Sequence, residues 1–473
     1  MTVRVRIAPS PTGYVHVGNI RAALFNWLFA RHHGGVFILR IDDTDIARSE
    51  QQYEDDIKEG FRWLGLDWDE GVDVGGPHGS YRQSDRFDHY RSIAEDLVER
   101  GLAYHDPRST EELEELRKRA QAEKLHPNFY IRRPHAESDT GPIRFSVPQG
   151  DAIEFHDLVR GDLRFGSETI DDFVVLRSDG VPTYHLASVT DDLDYEITHV
   201  ARGEDLLPST PKHILLAQAI GRGAIPEYAH LPLLFGPDGK KLSKRHGDTS
   251  LKAYREGGYL PEAMLNFMAL LGWSIGADRT IFSIEDAIAA FDLGAVSKNP
   301  AVFDIDKLAW INGEYMRAMD PGAFARHARP LVEAELGRSM TPDETASFTA
   351  MVPLVQERTK LLTDVADQMR FLFTDDLHYD EQSWAKVMEK EEVPGVLDAA
   401  RPRLETVHTF EVDAIEATLR GMLEDLGIGA RKGLQPLRVA VTGSSVSPPL
   451  FESMAALGRE VTLARIDAAR EKL

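Results

Sequence analysis

The chain has 473 residues, of which 42% are hydrophobic and 28% are charged, a composition typical of a globular protein with roughly three domains. It contains no cysteine, which excludes disulfides, thiolate-bound zinc and a cysteine nucleophile. It also has no apolar run as long as the about 18 residues that a membrane span requires, so we expect a cytoplasmic protein. The formal net charge of −23 opposes indiscriminate attraction to phosphate backbones, so any nucleic-acid binding must use local basic surfaces.

The N-terminal segment is typical of a βαβ unit. Residues 3–7 alternate between apolar side chains and arginine, which predicts a strand, and the turn-rich PSPTG follows directly. An apolar helical stripe then runs to Gly34, and residues 36–41 predict a buried strand. Open parallel sheets bind ligands at the carboxyl ends of their strands, so the loops at 9–19 and 42–45 are the expected binding loops.

The middle of the chain predicts an insertion. Residues 84–179 are less periodic, with a charged helical stretch near 110–124 and short β-like runs. The pattern of a doubly wound sheet returns with a β-like run over 181–189, a helix over 211–220 and a strand over 231–235. We therefore predict an α/β fold with a doubly wound, Rossmann-like parallel sheet that is split by an inserted α+β domain.

The C-terminal part predicts only helices. The sequence TPDE at 341–344 is a capping box with proline at the first helical position. Apolar residues keep helical spacing over 362–372 and over 415–426, and Gly427 ends the second of these runs. All-helical C-terminal domains should therefore follow the sheet.

The first candidate motif is HVGN at 16–19, where the first strand leads into the first helix. Gly18 allows the backbone to approach a nucleotide, Asn19 lies in the first helical turn, and the helix N-terminus offers unpaired N–H groups to phosphate. His16 could donate to phosphate oxygens as well. Alone, an H-x-G sequence is more often a loop histidine beside a helix-start glycine.

The second candidate motif is KLSKR at 241–245, which follows the turn sequence GPDG. Lys241 and Lys244 flank Leu242 and Ser243, and their ammonium groups could stabilise the negative charge that develops on a transferring phosphate. Most lysine clusters are solvated basic loops, and this motif alone would be read so.

Together, the two motifs resemble the HIGH and KMSKS pair of class I aminoacyl-tRNA synthetases, because they occur in that order at the two ends of a split sheet. Further strings resemble the bacterial glutamyl-tRNA synthetases, and they cover residue 4 to about 313: RIAPSPTG, RIDDTD, WLGLDWDEG, YRQSDR, GVPTYHLA, RGEDLLPSTPKH and FDIDKLAWING. The helical region that ends in QPLRVAVTGSSVSPPLFE resembles the anticodon-binding part of the same family.

The resemblance implies a set of site residues. Catalysis would fall to His16, Lys241 and Lys244. The implied ATP site consists of His16, Gly18, Asn19, Glu204, Asp205, Lys241, Leu242, Ser243 and Lys244. The implied glutamate site consists of Arg6, Ser10, Asp42, Tyr184 and Arg202.

A guanidinium group pairs bidentately with a carboxylate and gains less from a neutral amide, which would favour glutamate over glutamine. Asp42 departs from the family, which usually has glutamate there, so the distance from this acid to the substrate ammonium is open. Arg358 falls where some members read the anticodon, although an exposed helical arginine is an equal interpretation.

The implied reaction activates glutamate with ATP to glutamyl-adenylate and transfers it to the 2′-hydroxyl of the terminal adenosine of tRNA(Glu), with tRNA(Gln) open as a second acceptor. Mg²⁺ should arrive with ATP, bound through phosphates and water instead of a protein cage. Some members hold a zinc through cysteines, and we expect none here. The protein should act as a monomer.

The same resemblance implies a division into five parts. They are a Rossmann-like catalytic domain at 1–83 and 180–236, an inserted domain that binds the tRNA acceptor end at 84–179, a stem-contact domain with the KLSKR loop at 237–320, and helical anticodon-binding subdomains at 321–378 and 379–473.

Four other kinds of protein share part of this pattern. A small-molecule nucleotidyltransferase shares the H-x-G loop and the sheet but seldom carries a split sheet with a long helical appendage. A non-catalytic tRNA-binding paralogue would be expected to have lost His16 or Lys244. Glutaminyl-tRNA synthetase is the nearest rival, but its C-terminal part is expected to be a β-barrel. A truncated glutamyl-Q paralogue would lack the anticodon region.

Overall fold

The computed structural model describes residues 2–125, 127, 129–134, 138–242, 250–276, 278–374 and 376–473. The chain divides into two compact units. The first comprises Met1–Glu256 with Pro261–Ile305, and the second comprises Gly257–Leu260 with Asp306–Leu473.

The first unit mixes strands and helices. Its strands are β1 (Arg4–Ile7), β2 (Val36–Leu39), β3 (Glu70–Gly71), β4 (Ala103–His105), β5 (Ile143–Phe145), β6 (Ile153–Asp157), β7 (Gly161–Phe165), β8 (Val174–Leu176), β9 (His199–Gly203), β10 (Glu227–Leu231), β11 (Leu234–Phe235) and β12 (Ala301–Val302). Its helices are α1 (Val17–His32), α2 (Gln51–Trp63), α3 (Phe87–Glu99), α4 (Thr110–Ala122), α5 (Tyr184–Asp194), α6 (Thr210–Ile220), α7 (Leu251–Glu256), α8 (Pro261–Leu270) and α9 (Ile284–Ala290).

The central strands are parallel, which confirms the predicted doubly wound sheet. Strand β2 pairs in parallel with both β1 and β3, and β10 pairs in parallel with both β9 and β6. The backbone N–H of Thr198 donates to the Arg4 carbonyl at 2.9 Å, so β9 lies beside β1 and joins the two halves. Between β3 and α5 in the chain, β4, β5 and β8 form a separate antiparallel sheet that is accompanied by α4, which confirms the α+β insertion.

Helix α1 holds the HVGN motif at its N-terminus in a fixed position relative to the sheet. Ile20, Leu24 and Leu28 are fully buried along it, as the apolar stripe predicts. Asn26 on the same helix donates to the Ala201 carbonyl of β9 at 3.0 Å. This bond and the surrounding apolar contacts set where the N-terminus of α1 lies over the sheet.

The predicted strand over 181–189 is wrong, because α5 occupies most of this stretch. Every residue from Leu186 to Leu193 is buried, so the helix shows no alternation between a polar and an apolar face. Because this stretch lacks the helical period, its β-branched and aromatic residues favoured a strand. The strand predicted over 231–235 is in fact the end of β10 and the short β11, and β9 was not predicted.

The secondary-structure elements among the described residues of the second unit are all helices, as predicted. Its helices are α10 (Ile305–Ala318), α11 (Pro321–Leu336), α12 (Pro342–Gln356), α13 (Thr363–Met369), α14 (Glu381–Ser383), α15 (Val393–Glu405), α16 (Val412–Leu426), α17 (Ala430–Thr442) and α18 (Leu450–Lys472). The capping box of α12 is present, since Glu344 N–H donates to Thr341 Oγ1 at 3.2 Å and the Glu344 carboxylate accepts from Thr341 N–H at 2.8 Å. None of the helices in the described parts of the chain combines the length and apolar character that crossing a membrane requires.

Two glycines that end helices of the second unit allow a test of backbone strain against steric fit. Gly427 after α16 and Gly443 after α17 have φ of 66° and 80°. A Cβ on Gly427 would meet nothing within 4 Å, whereas one on Gly443 would lie 2.3 Å from the His378 carbonyl oxygen. We expect Gly427→Ala to cost about 1 kcal/mol through left-handed backbone strain. Gly443→Ala should cost about 1–3 kcal/mol more, because the backbone must also move.

The urea midpoints of the full-length variants would measure this difference. Equal shifts for the two substitutions would contradict the close approach of the His378 carbonyl.

Candidate active site

A cavity of about 490 Å³ opens where β1, β9 and β10 reach their carboxyl ends. Its wall contains most of the residues that the sequence assigned to one site, although they come from distant parts of the chain. These residues are Arg6, His16, Gly18, Asn19, Asp42, Tyr184, Arg202, Asp205, Lys241 and Leu242.

Three of the predicted residues that the structure describes do not contribute to this wall. Ser10 is exposed in the loop after β1. The Glu204 carboxylate pairs with Arg160 and accepts from Leu233 N–H at 2.8 Å. Arg358 is exposed in the second unit, and Ser243 and Lys244 lie outside the described residues.

His16 is the N-cap of α1, and its hydrogen bonds define its tautomer. Its Nδ1 accepts from Gly18 N–H at 3.1 Å, so in the neutral ring the proton is on Nε2. Burial lowers the pKa of His16, and the nearby Lys241 ammonium lowers it further. Near neutral pH the ring is therefore uncharged and carries one N–H to donate.

Lys241 lies on a short hairpin. Leu242 N–H donates to the Leu234 carbonyl and Gly236 N–H to the Lys240 carbonyl, both at 2.8 Å. The Lys241 ammonium is 3.8 Å from an Asp205 carboxylate oxygen. This places a solvent-accessible cation at the edge of the cavity, on the same wall as His16.

Beneath the cavity, buried arginines and aspartates form one network. Arg6 donates to both oxygens of Asp192 at 2.9 and 3.1 Å, and Arg40 reaches the same carboxylate at 2.7 Å. Arg40 also donates to both oxygens of Asp42, at 2.6 and 3.2 Å. The side chain of Arg40 is completely buried, so this network fixes Arg6 and Asp42 relative to each other.

The two aspartates respond differently to the same surroundings. Burial raises the pKa of Asp42, and Arg40 offsets only part of that effect. Burial also acts to raise the pKa of Asp192, but Arg6 and Arg40 together outweigh it and hold the pKa below its usual value. Asp192 is thus an ionised bridge between two guanidinium groups.

Arg202 is held in a different way. Its guanidinium donates to the Tyr184 hydroxyl and to Thr210 Oγ1, both at 2.9 Å, and to the Leu206 carbonyl at 3.3 Å. Nitrogen atoms of His213 and His230 also face it, and the centroid of the Tyr228 ring lies 5.7 Å from its central carbon. Among the residues that the structure describes, Arg202 forms no ion pair, so the wall carries a positive charge without a directly bound acid.

The comparisons with known proteins cover both units. Residues 2–310 match the family model for tRNA synthetases class I (E and Q), catalytic domain, and residues 323–470 match an anticodon binding domain. A glutamate–tRNA ligase of Dehalococcoides mccartyi is 45% identical over 476 residues, which span 100% of this chain and 98% of the relative. The chain belongs to the class I glutamyl-tRNA synthetase family.

Two further similarities agree with this assignment. A glutamate–tRNA ligase of Streptomyces avermitilis is 44% identical, covering 99% of this chain and 96% of the relative. The crystal structure of a glutamate tRNA ligase from Elizabethkingia meningosepticum, in complex with its amino acid, matches with a TM-score of 0.87 at 34% identity, and both chains are covered completely.

Several site residues escaped the sequence analysis. Arg40 had a usable signal, because an arginine in the apolar run VFILRI must be paired if that strand is buried. Asp192 lies in α5 just beyond the stretch predicted as a strand, where the sequence analysis assigned no element. His213 and His230 carried no local signal, since only the fold brings them to Arg202.

The buried network predicts an unequal response to arginine-to-lysine substitution. Arg40→Lys keeps the charge but loses the planar fork that serves two carboxylates, so we expect a loss of roughly 3–5 kcal/mol in unfolding free energy. Arg91→Lys is the control, because its ion pair with Asp88 is largely exposed and should be worth less than about 1 kcal/mol.

Chemical denaturation of the two full-length variants would measure both effects. A cost for Arg40→Lys no larger than that for Arg91→Lys would contradict the network.

Proposed function

We propose that the chain is a glutamate–tRNA ligase that activates L-glutamate with ATP and esterifies the terminal adenosine of tRNA(Glu). The observation that carries this proposal is the shared cavity. His16 and Lys241, which suit a triphosphate, line the same wall as Arg6, Tyr184 and Arg202, which suit a dicarboxylic amino acid. Because the chain belongs to the glutamyl-tRNA synthetase family, we interpret these two groups of residues as the ATP and glutamate parts of one active site.

For glutamate, the charges of the wall support a defined orientation. The unneutralised Arg202 would receive the side-chain carboxylate, with the Tyr184 hydroxyl beside it. Asp42 would receive the α-ammonium, because Arg40 occupies only part of the acceptor capacity of its two oxygens. Arg6 would contribute less net charge than Arg202, since Asp192 already pairs with it.

For ATP, the donors along the wall fit an anionic chain. The Nε2–H of neutral His16, the positive end of the α1 dipole and the Lys241 ammonium all favour phosphate oxygens. Gly18 and Asn19 line the wall there, with their N–H groups bonded to His16 Nδ1 and to the His16 carbonyl. We place Lys244, Ser243 and Leu242 at the same substrate on the resemblance of KLSKR. No cluster of three or more histidine, aspartate or glutamate side chains suited to a metal occurs among the described residues. Mg²⁺ would enter with the nucleotide and neutralise phosphate charge.

The reaction would need positioning and charge stabilisation and no protein nucleophile. An oxygen of the glutamate α-carboxylate attacks the α-phosphorus of ATP, and the bond from that phosphorus to the α–β bridging oxygen breaks to release pyrophosphate. The 2′-hydroxyl oxygen of the terminal adenosine then attacks the carbonyl carbon of the glutamyl-adenylate. The bond from this carbon to the oxygen shared with phosphorus breaks, AMP leaves with that oxygen, and the hydroxyl proton is released. Lys241, Lys244 and His16 would stabilise the negative charge that gathers on the phosphates.

For tRNA, we propose that the insertion at 84–179 binds the acceptor end. The stem-contact part at 237–320 and the helical subdomains at 321–378 and 379–473 would bind the rest, with Arg358 near the anticodon. The match of residues 323–470 to an anticodon binding domain supports the assignment of the helical subdomains. We further propose that the protein acts as a monomer in the cytoplasm. Whether it also charges tRNA(Gln) is the question that the charging assay answers.

Charging of purified transcripts tests the proposed function directly. Radiolabelled glutamate should be transferred to tRNA(Glu) only when ATP is present, and radiolabelled glutamine should not be transferred, because a cationic side-chain pocket gains little from an amide. Transfer of glutamate to tRNA(Gln) would identify the second acceptor.

Two results would refute the proposal. They are the absence of glutamate transfer to either tRNA, and a preference for glutamine.

The lysines of the KLSKR motif allow a test of mechanism. Lys241→Ala and Lys244→Ala should each slow adenylate formation by on the order of 10²–10³, while glutamate binding changes little, because their charge acts mainly on the transition state. Lys240→Ala is the matched control, since Lys240 is exposed and does not line the cavity.

Pre-steady-state adenylate formation and equilibrium glutamate binding would separate the two effects. Equal losses in both quantities would contradict the assigned role, and so would an equal effect of Lys240→Ala.

A further inference from the structure

Behind Arg202 lies a group of histidines that the proposed reaction does not use. His213 and His230 are 1% and 0% exposed, and neither lines the cavity. His230 Nε2 is 3.2 Å from Arg202 Nε, and His213 Nδ1 is 3.4 Å from Arg202 Nη1. Both rings therefore contact the guanidinium on its buried side.

The direction of these hydrogen bonds fixes the protonation of the rings. A guanidinium group only donates, so the ring nitrogens that face Arg202 must be acceptors without a proton. In neutral rings the proton must then be on the other nitrogen. For His230 this is Nδ1, which donates to Asp157 at 2.5 Å, and for His213 it is Nε2, which faces His185 Nδ1 at 3.1 Å.

The surroundings keep both rings neutral. Burial lowers the pKa of His213 well below its usual value, and Arg202 and His185 lower it further. Burial also lowers the pKa of His230, although Asp157 acts in the opposite direction. The pKa of His185, which His213 contacts, falls to about 4, mainly through burial.

The contrast with the neighbouring arginines gives this arrangement its meaning. Arg6 and Arg40 are held by aspartates, so much of their charge is cancelled locally. Arg202 is equally buried, yet rings, hydroxyls and a carbonyl hold it. Among the described residues, the acid that bonds directly to these two rings is Asp157, and the His230 ring separates it from the guanidinium.

We propose that His213 and His230 are positioning residues that set the selectivity for glutamate over glutamine. They fix the Arg202 guanidinium through uncharged acceptors, so that its charge remains available to the carboxylate of the substrate side chain. A carboxylate in their place would position Arg202 equally well but would remove the advantage of an acidic substrate over its amide. This inference rests on the proposed function, because it takes glutamate as the substrate.

A matched pair of variants separates positioning from charge. His213→Gln supplies a carbonyl oxygen for Arg202 and an amide N–H for His185, and His213→Glu has the same length but adds a negative charge. The readouts are the glutamate KM, the ATP KM and the inhibition constant of glutamine in charging of tRNA(Glu) by the full-length protein.

The proposal predicts different outcomes for the two variants. His213→Gln should keep the ratio of the glutamine inhibition constant to the glutamate KM within a few-fold, whereas His213→Glu should lower this ratio roughly 10- to 100-fold. The ATP KM should change little in both. Similar ratios in the two variants would overturn the proposal, because the rings would then serve packing alone.

The wild-type protein distinguishes this failure from a failure of the proposed function. If it does not charge tRNA with glutamate, the function itself is wrong. If it does so and the variants do not differ in selectivity, only the inference about the histidines fails.

A spectroscopic measurement keeps the proposal testable if His213→Glu does not fold. In wild-type protein with ¹⁵N-labelled histidines, both rings should be neutral at pH 7, protonated on Nε2 in His213 and on Nδ1 in His230. His213→Gln and His230→Gln would assign the signals. An imidazolium signal from either ring would overturn the proposal, because a charged ring cannot accept from Arg202.

Discussion

The carboxylate of Asp192 is shared by Arg6 and Arg40, and the geometry of the cavity depends on this sharing. The three residues come from β1, from the end of β2 and from α5, so one carboxylate joins two neighbouring strands to the helix that covers them. Removing one member would leave an uncompensated charge in a dry site, which is far more costly than losing a surface ion pair. The network therefore gives the cavity floor one defined arrangement.

Asp42 shows how the network shapes the site. Arg40 and Asp42 are two residues apart in an extended segment, so their side chains project to the same face. Their bidentate pair draws the carboxylate towards the floor, and aspartate is already one methylene shorter than the glutamate usual in this family. A bound ammonium group would have to lie deeper than it would beside a longer acid, or be bridged by water.

Much of the fold and of the site could be predicted from local sequence. Helix α1, the capping box of α12 and the end of α16 at Gly427 follow from spacing and caps, because neighbouring residues determine them. Helix α5 was missed because it is buried on all sides and has no amphipathic period. The motif residues could be named in advance, but the partners that hold them could not. Arg40 and Asp192 are 152 positions apart, and His230 and Asp157 are 73 apart, so only the folded sheet brings these groups together.

The separation of Arg6 from Asp192 has a consequence for synthesis on the ribosome. Their bond spans 186 positions, and the insertion lies between them in the sequence. At 5–20 residues per second, roughly 10–40 s pass between the emergence of the arginine and that of its acid. Until then the first strand would have to bury the Arg6 guanidinium without its counter-ion, and Arg40 would have Asp42 alone, so the N-terminal half of the sheet cannot close early. Completion of the nascent sheet must wait for α5 and β9, and during this delay the edge of β1 that later meets β9 stays unpaired, which exposes it to aggregation.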